Sequence, residues 1–243
     1  MLRRKDFIHR NIKYSFNWNY KYHTNKLNQI NSNREDYKKL EAYFKRIINE
    51  NYVPNHLFNR RSSPRVSQFK IRGIKKAFLL NFGKKLIREG KIKVFDSNTK
   101  LPKYVQSVYN SFKENKINRN PGHDPVLKNI LIKDNNSIAI EIPIWKINKE
   151  NLITGHIDLM QIQDNTIKVI DYKPEGNFLA SIPQVATYGL LVKNLFNITN
   201  LQCVTFNKNE VWEYNPLILL TDIKEYLTSK KIERPWEEFI SED

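Results

Sequence analysis

The sequence predicts an α/β protein, a mixed β-sheet covered by helices, with a mainly helical and strongly basic region ahead of it. Three observations carry that expectation. Apolar residues recur at three- and four-residue spacing before residue 120; β-branched residues alternate with polar ones after it; and the second half runs in the order β, β, β, α, β, β, which lays a crossover helix on a sheet.

Met1 to Ile30 mix Arg, Lys and Asn with Tyr14, Phe16, Trp18, Tyr20 and Tyr22, and they show no clear period. An irregular basic arm is expected here, suited to stacking bases on its aromatics; read otherwise, it is an acid-poor transit sequence. From Arg34 to Asn51 the positions Tyr37, Leu40, Tyr43, Phe44, Ile47 and Ile48 fall on one helical face. Pro54 and Pro64 mark residues 51 to 64 as a connection. A second amphipathic helix is expected over Val66 to Glu89, closed by Gly90, and a third over Leu101 to Asn115.

After Pro121 the pattern becomes that of strands, expected over Leu127–Ile132, Ser137–Trp145, Leu152–Gln163 and Thr166–Lys173, with turns at Asp134-Asn135-Asn136 and Asp164-Asn165. A helix follows with Pro183 in its first turn and its end near Asn197. Leu201–Asn207 and Val211–Tyr214 read as two further strands, and Leu217–Leu227 as a last helix. The expected division is a gripping region over 1–120 and a catalytic core over 121–243.

Composition narrows the function. The 243 residues suffice for a buried core, and no apolar run reaches the 18 or so residues of a membrane span, so no membrane partner is expected. The lone Cys203 makes neither an internal disulfide nor an iron–sulfur cluster, which leaves oxygen and imidazole as metal ligands. Basic side chains outnumber acidic ones 41 to 25. The excess lies in the first 120 residues, with 29 basic and 8 acidic groups, against 12 and 17 in the remainder. A field of that sign draws polyanions with a steep salt dependence. Arg60, Arg61, Arg65, Lys75 and Lys76 are the expected phosphate contacts.

Asp158 falls late in one expected strand and Asp171 late in the next, with Lys173 on the same face as Asp171. A hairpin brings the two carboxylates and the ammonium together, a set that suits Mg2+ and phosphodiester hydrolysis. Taken alone, an Asp-x-Lys in a strand is more often a surface ion pair. The surrounding runs are more specific: E-I-P-I-W from Glu141, G-H-I-D ending at Asp158, V-I-D-Y-K ending at Lys173 and Q-V-A-T-Y from Gln184 to Tyr188.

This order of motifs resembles the PD-(D/E)xK nuclease superfamily, and within it the RecB-like branch, over roughly residues 123 to 190. The resemblance implies a restriction-endonuclease-like core and a metal-dependent DNA nuclease. It points to an exonuclease preferring single-stranded DNA or DNA ends, in repair, recombination or genome maintenance. Two other readings stand beside it, a catalytically silent binding module on the same fold and an RNA-directed nuclease. Asp158 and Asp171 match the metal-binding carboxylates, the Tyr172 carbonyl a third metal contact, and Lys173 the catalytic lysine. Gln184 and Tyr188, one helical turn apart, match residues that position DNA and support the site. Glu141 and His123 are alternative further ligands, whereas His156 is read as structural. The implied cofactor is Mg2+ or Mn2+ without an iron–sulfur cluster. Helicases or recombination proteins are the implied partners, and the expected setting is intracellular, in cytoplasm or nucleoid, or the mitochondrial matrix on the transit reading.

Overall fold

The computed structural model describes residues 2–29, 35–148 and 151–240. Two strands open the chain, β1 (Leu2–His9) and β2 (Ile12–Asn19), followed by the helices α1 (Tyr20–Gln29), α2 (Glu35–Asn49) and α3 (Asn55–Phe58). After a 3-10 turn at Val66–Gln68 come α4 (Lys76–Arg88), β3 (Ile92–Asp96), α5 (Lys100–Glu114) and α6 (His123–Lys133). The second half contains β4 (Ser137–Asn148), β5 (Asn151–Gln163), β6 (Thr166–Tyr172), α7 (Phe178–Phe196), β7 (Leu201–Phe206) and β8 (Glu210–Tyr214). A 3-10 turn at Pro216–Leu219, α8 (Asp222–Ser229) and α9 (Glu237–Ile240) complete it.

All eight strands join one mixed sheet in the order β1-β2-β4-β5-β6-β7-β8-β3. Only β6 and β7 run parallel, because α7 carries the chain back over the sheet between them. Strand alternation divides the core in two. The row Ala139, Met160, Val169 and Cys203 packs on the α7 and α2 side, and the next row, Ile140, Leu159, Ile170 and Val204, packs under α5 and α6. Glu141, Asp158, Asp171 and Thr205 occupy the row after that. The α7 face is close fitting at Gly189, where an added Cβ would sit 2.5 Å from the Cys203 sulfur.

Several expectations give way. The first 30 residues are no irregular arm: β1 and β2 form a hairpin that pairs with β4 through Asn17 and Trp18. The arm's expected ends, Met1 and Ile30, and the start of the following helix at Arg34 lie outside the described residues. The hairpin turn, Arg10-Asn11, has both residues at positive φ, so it lacks the glycine by which such turns are recognised in sequence. Phe16 and Trp18 are fully buried against Phe44, with ring centroids 5.3 and 5.7 Å apart, rather than free to stack on bases. Residues 127–132 are helical, not a strand. Val126, Leu127, Ile130 and Leu131 form a helical face packed against α5, and that packing overrides their β-propensity.

Within 66–89 the helix begins only at Lys76, after Gly73 at φ +77°. Pro183 lies inside α7 rather than in its first turn, since the helix starts at Phe178 after the left-handed Asn177. The last expected helix is broken into a 3-10 turn and α8, with Thr221 between them. β3 was not expected at all; it pairs with β8, and with β1 and β2 it carries the sheet across the residue 120 boundary.

Candidate functional site

The site forms where two paired strands part. The β5–β6 ladder ends at Leu159 and Ile170, one step before Asp158 and Asp171, whereas β6 stays with β7 through Tyr172 and on to the bond from Lys173 N–H to the Phe206 carbonyl. The Tyr172 N–H, freed from β5, donates to Asp158 Oδ2 at 3.0 Å. A main-chain donor thus fixes one carboxylate at the point where the sheet opens.

Asp171 is held from two sides. Lys173 Nζ lies 2.6 Å from its Oδ2, an off-axis ion-pair contact, and the Gln184 side-chain amide donates to Oδ1 at 3.1 Å from α7. Tyr188, one turn after Gln184, lays its ring across Gly155. An added Cβ there would come within 2.5 Å of the ring, so the glycine of the G-x-x-D run is required by the tyrosine. The Tyr188 hydroxyl reaches the His156 main chain.

His123, at the first turn of α6, approaches from the opposite face. Its Nε2 lies 2.9 Å from the Tyr172 carbonyl and 3.8 Å from Asp158 Oδ2, and its half-exposed ring marks the open side. Glu141 sits opposite Asp158 at a left-handed φ of 51°, a conformation unusual for a residue with a Cβ. Its Oε2 is buried without a hydrogen bond and faces His156 Nε2 at 3.5 Å. Among the described residues, no three His, Cys, Asp or Glu side chains form a ready-made metal cage.

The carboxylates are crowded. Burial, and then Asp158, push Glu141 up to about 9. Burial and the Asp158 charge likewise raise Asp171 to about 7, against the opposing pull of Lys173. Burial would lower Lys173, but the charges of Asp171 and Asp158 outweigh it and hold the ammonium protonated. Each of these shifts reflects an excess of negative charge in a dry place, which an additional cation would relieve.

Three further side chains border the site from outside the expected set. His156, read as structural, faces Glu141 and lies tilted against the Tyr14 ring, with centroids 4.1 Å apart. His9, at the end of β1, meets His156 Nδ1 at 3.4 Å and Thr154 Oγ1 at 3.1 Å. Burial drives both imidazoles toward neutrality, His9 to about 3. A neutral His156 that accepts at Nδ1 from His9 leaves His9 Nε2 to accept from the Thr154 hydroxyl, so one pair of tautomers satisfies both hydrogen bonds while Glu141 Oε2 stays without one. Only the H in G-H-I-D hinted at this, because His9 and Tyr14 reach the site through a hairpin absent from the sequence reading.

The expected phosphate contacts are dispersed. Lys75 and Lys76 are exposed at the start of α4, with no side-chain hydrogen bond or ion pair among the described residues. Arg60 is exposed and bonds Ser62 Oγ at 3.1 Å. Arg61 and Arg65 line a cavity with Arg10, and Arg65 bridges to Thr154 of β5. Among the described residues, no helix is long and apolar enough to cross a membrane. No family model, no curated protein and no solved structure matches the chain.

Proposed function

We propose that the protein is a metal-dependent DNA nuclease on a restriction-endonuclease-like core. The observation that carries this reading is the meeting of Asp158, Asp171 and Lys173 where β5 leaves β6, with Gln184 of α7 on Asp171 and His123 of α6 beside Asp158. Four motifs between Glu141 and Tyr188 border or supply this meeting point, and their order is the one the PD-(D/E)xK resemblance implies.

The donor set suits a hard divalent ion. Ligands about 2.1 Å from an octahedral centre lie about 3.0 Å apart as neighbours and about 4.2 Å apart as opposites. The spacings of His123 Nε2 to the Tyr172 carbonyl, 2.9 Å, and to Asp158 Oδ2, 3.8 Å, fall close to or between those limits. The orphaned Glu141 Oε2 and the incompletely satisfied Asp171 Oδ2 are further oxygens that favour a positive partner. Asp158, Asp171, the Tyr172 carbonyl and His123 would hold the ion, with Glu141 behind them. When bound, Mg2+ or Mn2+ supplies a polarised phosphoryl oxygen and a more acidic water.

The chain's own residues do the rest. Lys173 is protonated and anchored on Asp171, so its ammonium offsets negative charge developing on phosphate and orients the attacking oxygen. Gln184 fixes the Asp171 carboxylate against rotation. The basic first half supplies affinity for the strand, with single-stranded DNA or DNA ends as the substrate and a helicase or recombination protein as the working partner. The test uses single-stranded and duplex DNA labelled separately at each end, incubated with Mg2+, Mn2+ or EDTA. Metal-dependent cleavage lost in Lys173→Ala supports the proposal; metal-independent cleavage rejects it, and no cleavage with binding retained rejects it in favour of the silent binding module.

A further inference from the structure

The β1–β2 turn, α3 and the loop after it enclose an open cavity of about 380 Å³ lined by Arg10, Asn11, Asn59, Arg61, Arg65 and Gln68. Three guanidinium groups share it. Among the described residues, none of the three forms an ion pair with a carboxylate. Arg10 is built into place: its guanidinium donates to the Arg61 carbonyl at 2.9 Å and to the Ser63 carbonyl, and its main-chain N–H donates to the Phe58 carbonyl at 3.3 Å. Its backbone is held at φ 54°, where Asn or Gly is usual. The floor is also fixed, since Asn59 Oδ1 accepts from the Asn11 N–H and Gln68 Oε1 from the Arg65 N–H. The Nε atoms of Arg10 and Arg65 are buried without an acceptor.

Three like charges gathered on a fixed floor without counter-charge are costly unless an anion completes them. A planar fork of donors suits tetrahedral oxyanions, above all phosphate. Arg65 bridges to Thr154, four residues along β5 from Asp158, which is about 13 Å at about 3.3 Å per residue. The cavity lining includes none of Glu141, Asp158, Asp171 and Lys173, so a phosphate seated in it is held by a different set of side chains from those at the carboxylates.

We propose that Arg10, Arg61 and Arg65 form a phosphate-binding pocket separate from the carboxylate site. That the phosphate belongs to a nucleic-acid strand rests on the nuclease reading; the pocket's preference for an oxyanion does not. Its ligand is either a terminal phosphate monoester or a backbone diester.

Binding is measured in EDTA, so that cleavage plays no part. Inorganic phosphate is titrated by calorimetry into the wild type, Arg61→Gln and the control Lys84→Gln, which removes one exposed charge elsewhere. The Arg61 side chain is exposed and its carbonyl keeps the Arg10 bond, so this variant is expected to fold. Saturable binding by wild type and Lys84→Gln, weakened about tenfold in Arg61→Gln, is the expected result. Equal affinity in all three, equal losses in both variants, or no saturation overturns the proposal. Oligonucleotides with a 5′-phosphate, a 3′-phosphate or neither then identify the source. An Arg61-dependent gain from one end group assigns a terminal monoester, and equal Arg61-dependent binding of all three assigns a diester. Phosphate binding without any metal-dependent cleavage would retain the pocket and reject the nuclease reading.

Discussion

Two clusters of like charge both reach β5, one through Asp158 and the other through the Arg65–Thr154 bridge, and they are built in opposite ways. Glu141, Asp158 and Asp171 come from consecutive strands, share one row of the sheet, and have partners within the chain: Lys173, Gln184, the Tyr172 N–H and the His156–His9 pair. Arg10, Arg61 and Arg65 come from a hairpin turn and a loop some 50 residues later, and among the described residues their hydrogen-bond partners are carbonyls and amides. A ladder sets its register residue by residue, so a carboxylate cluster on strands is positioned by the fold itself. A pocket made of turn and loop needs strained backbone and main-chain bonds to hold it.

The comparison predicts a division of labour, and the largest expected effect tests it directly. Lys173→Ala and Asp171→Asn should each lower metal-dependent cleavage by about 10³-fold while leaving DNA affinity within severalfold, as measured by end-label release and by filter binding. Equal losses of binding and cleavage would erase the distinction. Reversing Lys75 and Lys76 to Glu should weaken DNA binding about tenfold and flatten its dependence on salt by about one to two phosphate contacts, without changing turnover at saturation. A loss of turnover there would place catalytic groups on α4.

Gly155→Ala sharpens the acidic half. A methyl group 2.5 Å from the Tyr188 ring should cost about 1–3 kcal/mol of stability, read from denaturant midpoints, and should disturb Tyr188 and its neighbour Gln184 before it disturbs the basic half. A pH-dependent effect concerns the helix that follows the hairpin carrying Arg10. His23 is fully buried, accepts from Trp18 Nε1 at 3.0 Å, and is lowered to about 3 by burial. The unfolded imidazole takes up a proton near 6.5 and the folded one does not. Its contribution is therefore complete above pH 6.5 and declines by about 1.4 kcal/mol per unit as pH falls from there toward 3. His23→Gln should have a correspondingly flatter stability profile over that window, checked by urea unfolding at successive pH values.

Legibility followed the range of the interactions. Asp158, Asp171, Lys173, Gln184 and Tyr188 could be placed because strand alternation and one helical turn are local rules, and the four runs fall in order along the chain. The glycine of G-H-I-D was visible as a motif, but its reason, the Tyr188 ring, was not. His9, Tyr14 and Arg10 were out of reach because the Arg10-Asn11 turn has no glycine and the hairpin's aromatics looked solvent-facing. Leu127–Ile132 misled through composition: Leu and Ile serve a strand or a helix, and only the α5 surface beneath them chose the helix.

The sequence by itself determined the strand and helix alternation after residue 133, the amphipathic faces of α2 and α5, the uneven charge and the spacing of Asp158, Asp171 and Lys173, because each depends on spacing within one element or on composition. Only the tertiary structure decided that residues 2–19 form two strands of the same sheet, that β5 and β6 part at Asp158 and Asp171, and that three arginines meet with no carboxylate paired to them among the described residues. Those outcomes depend on pairings between segments far apart in the chain, whose energy comes from surfaces brought together by folding and leaves no local periodicity to read.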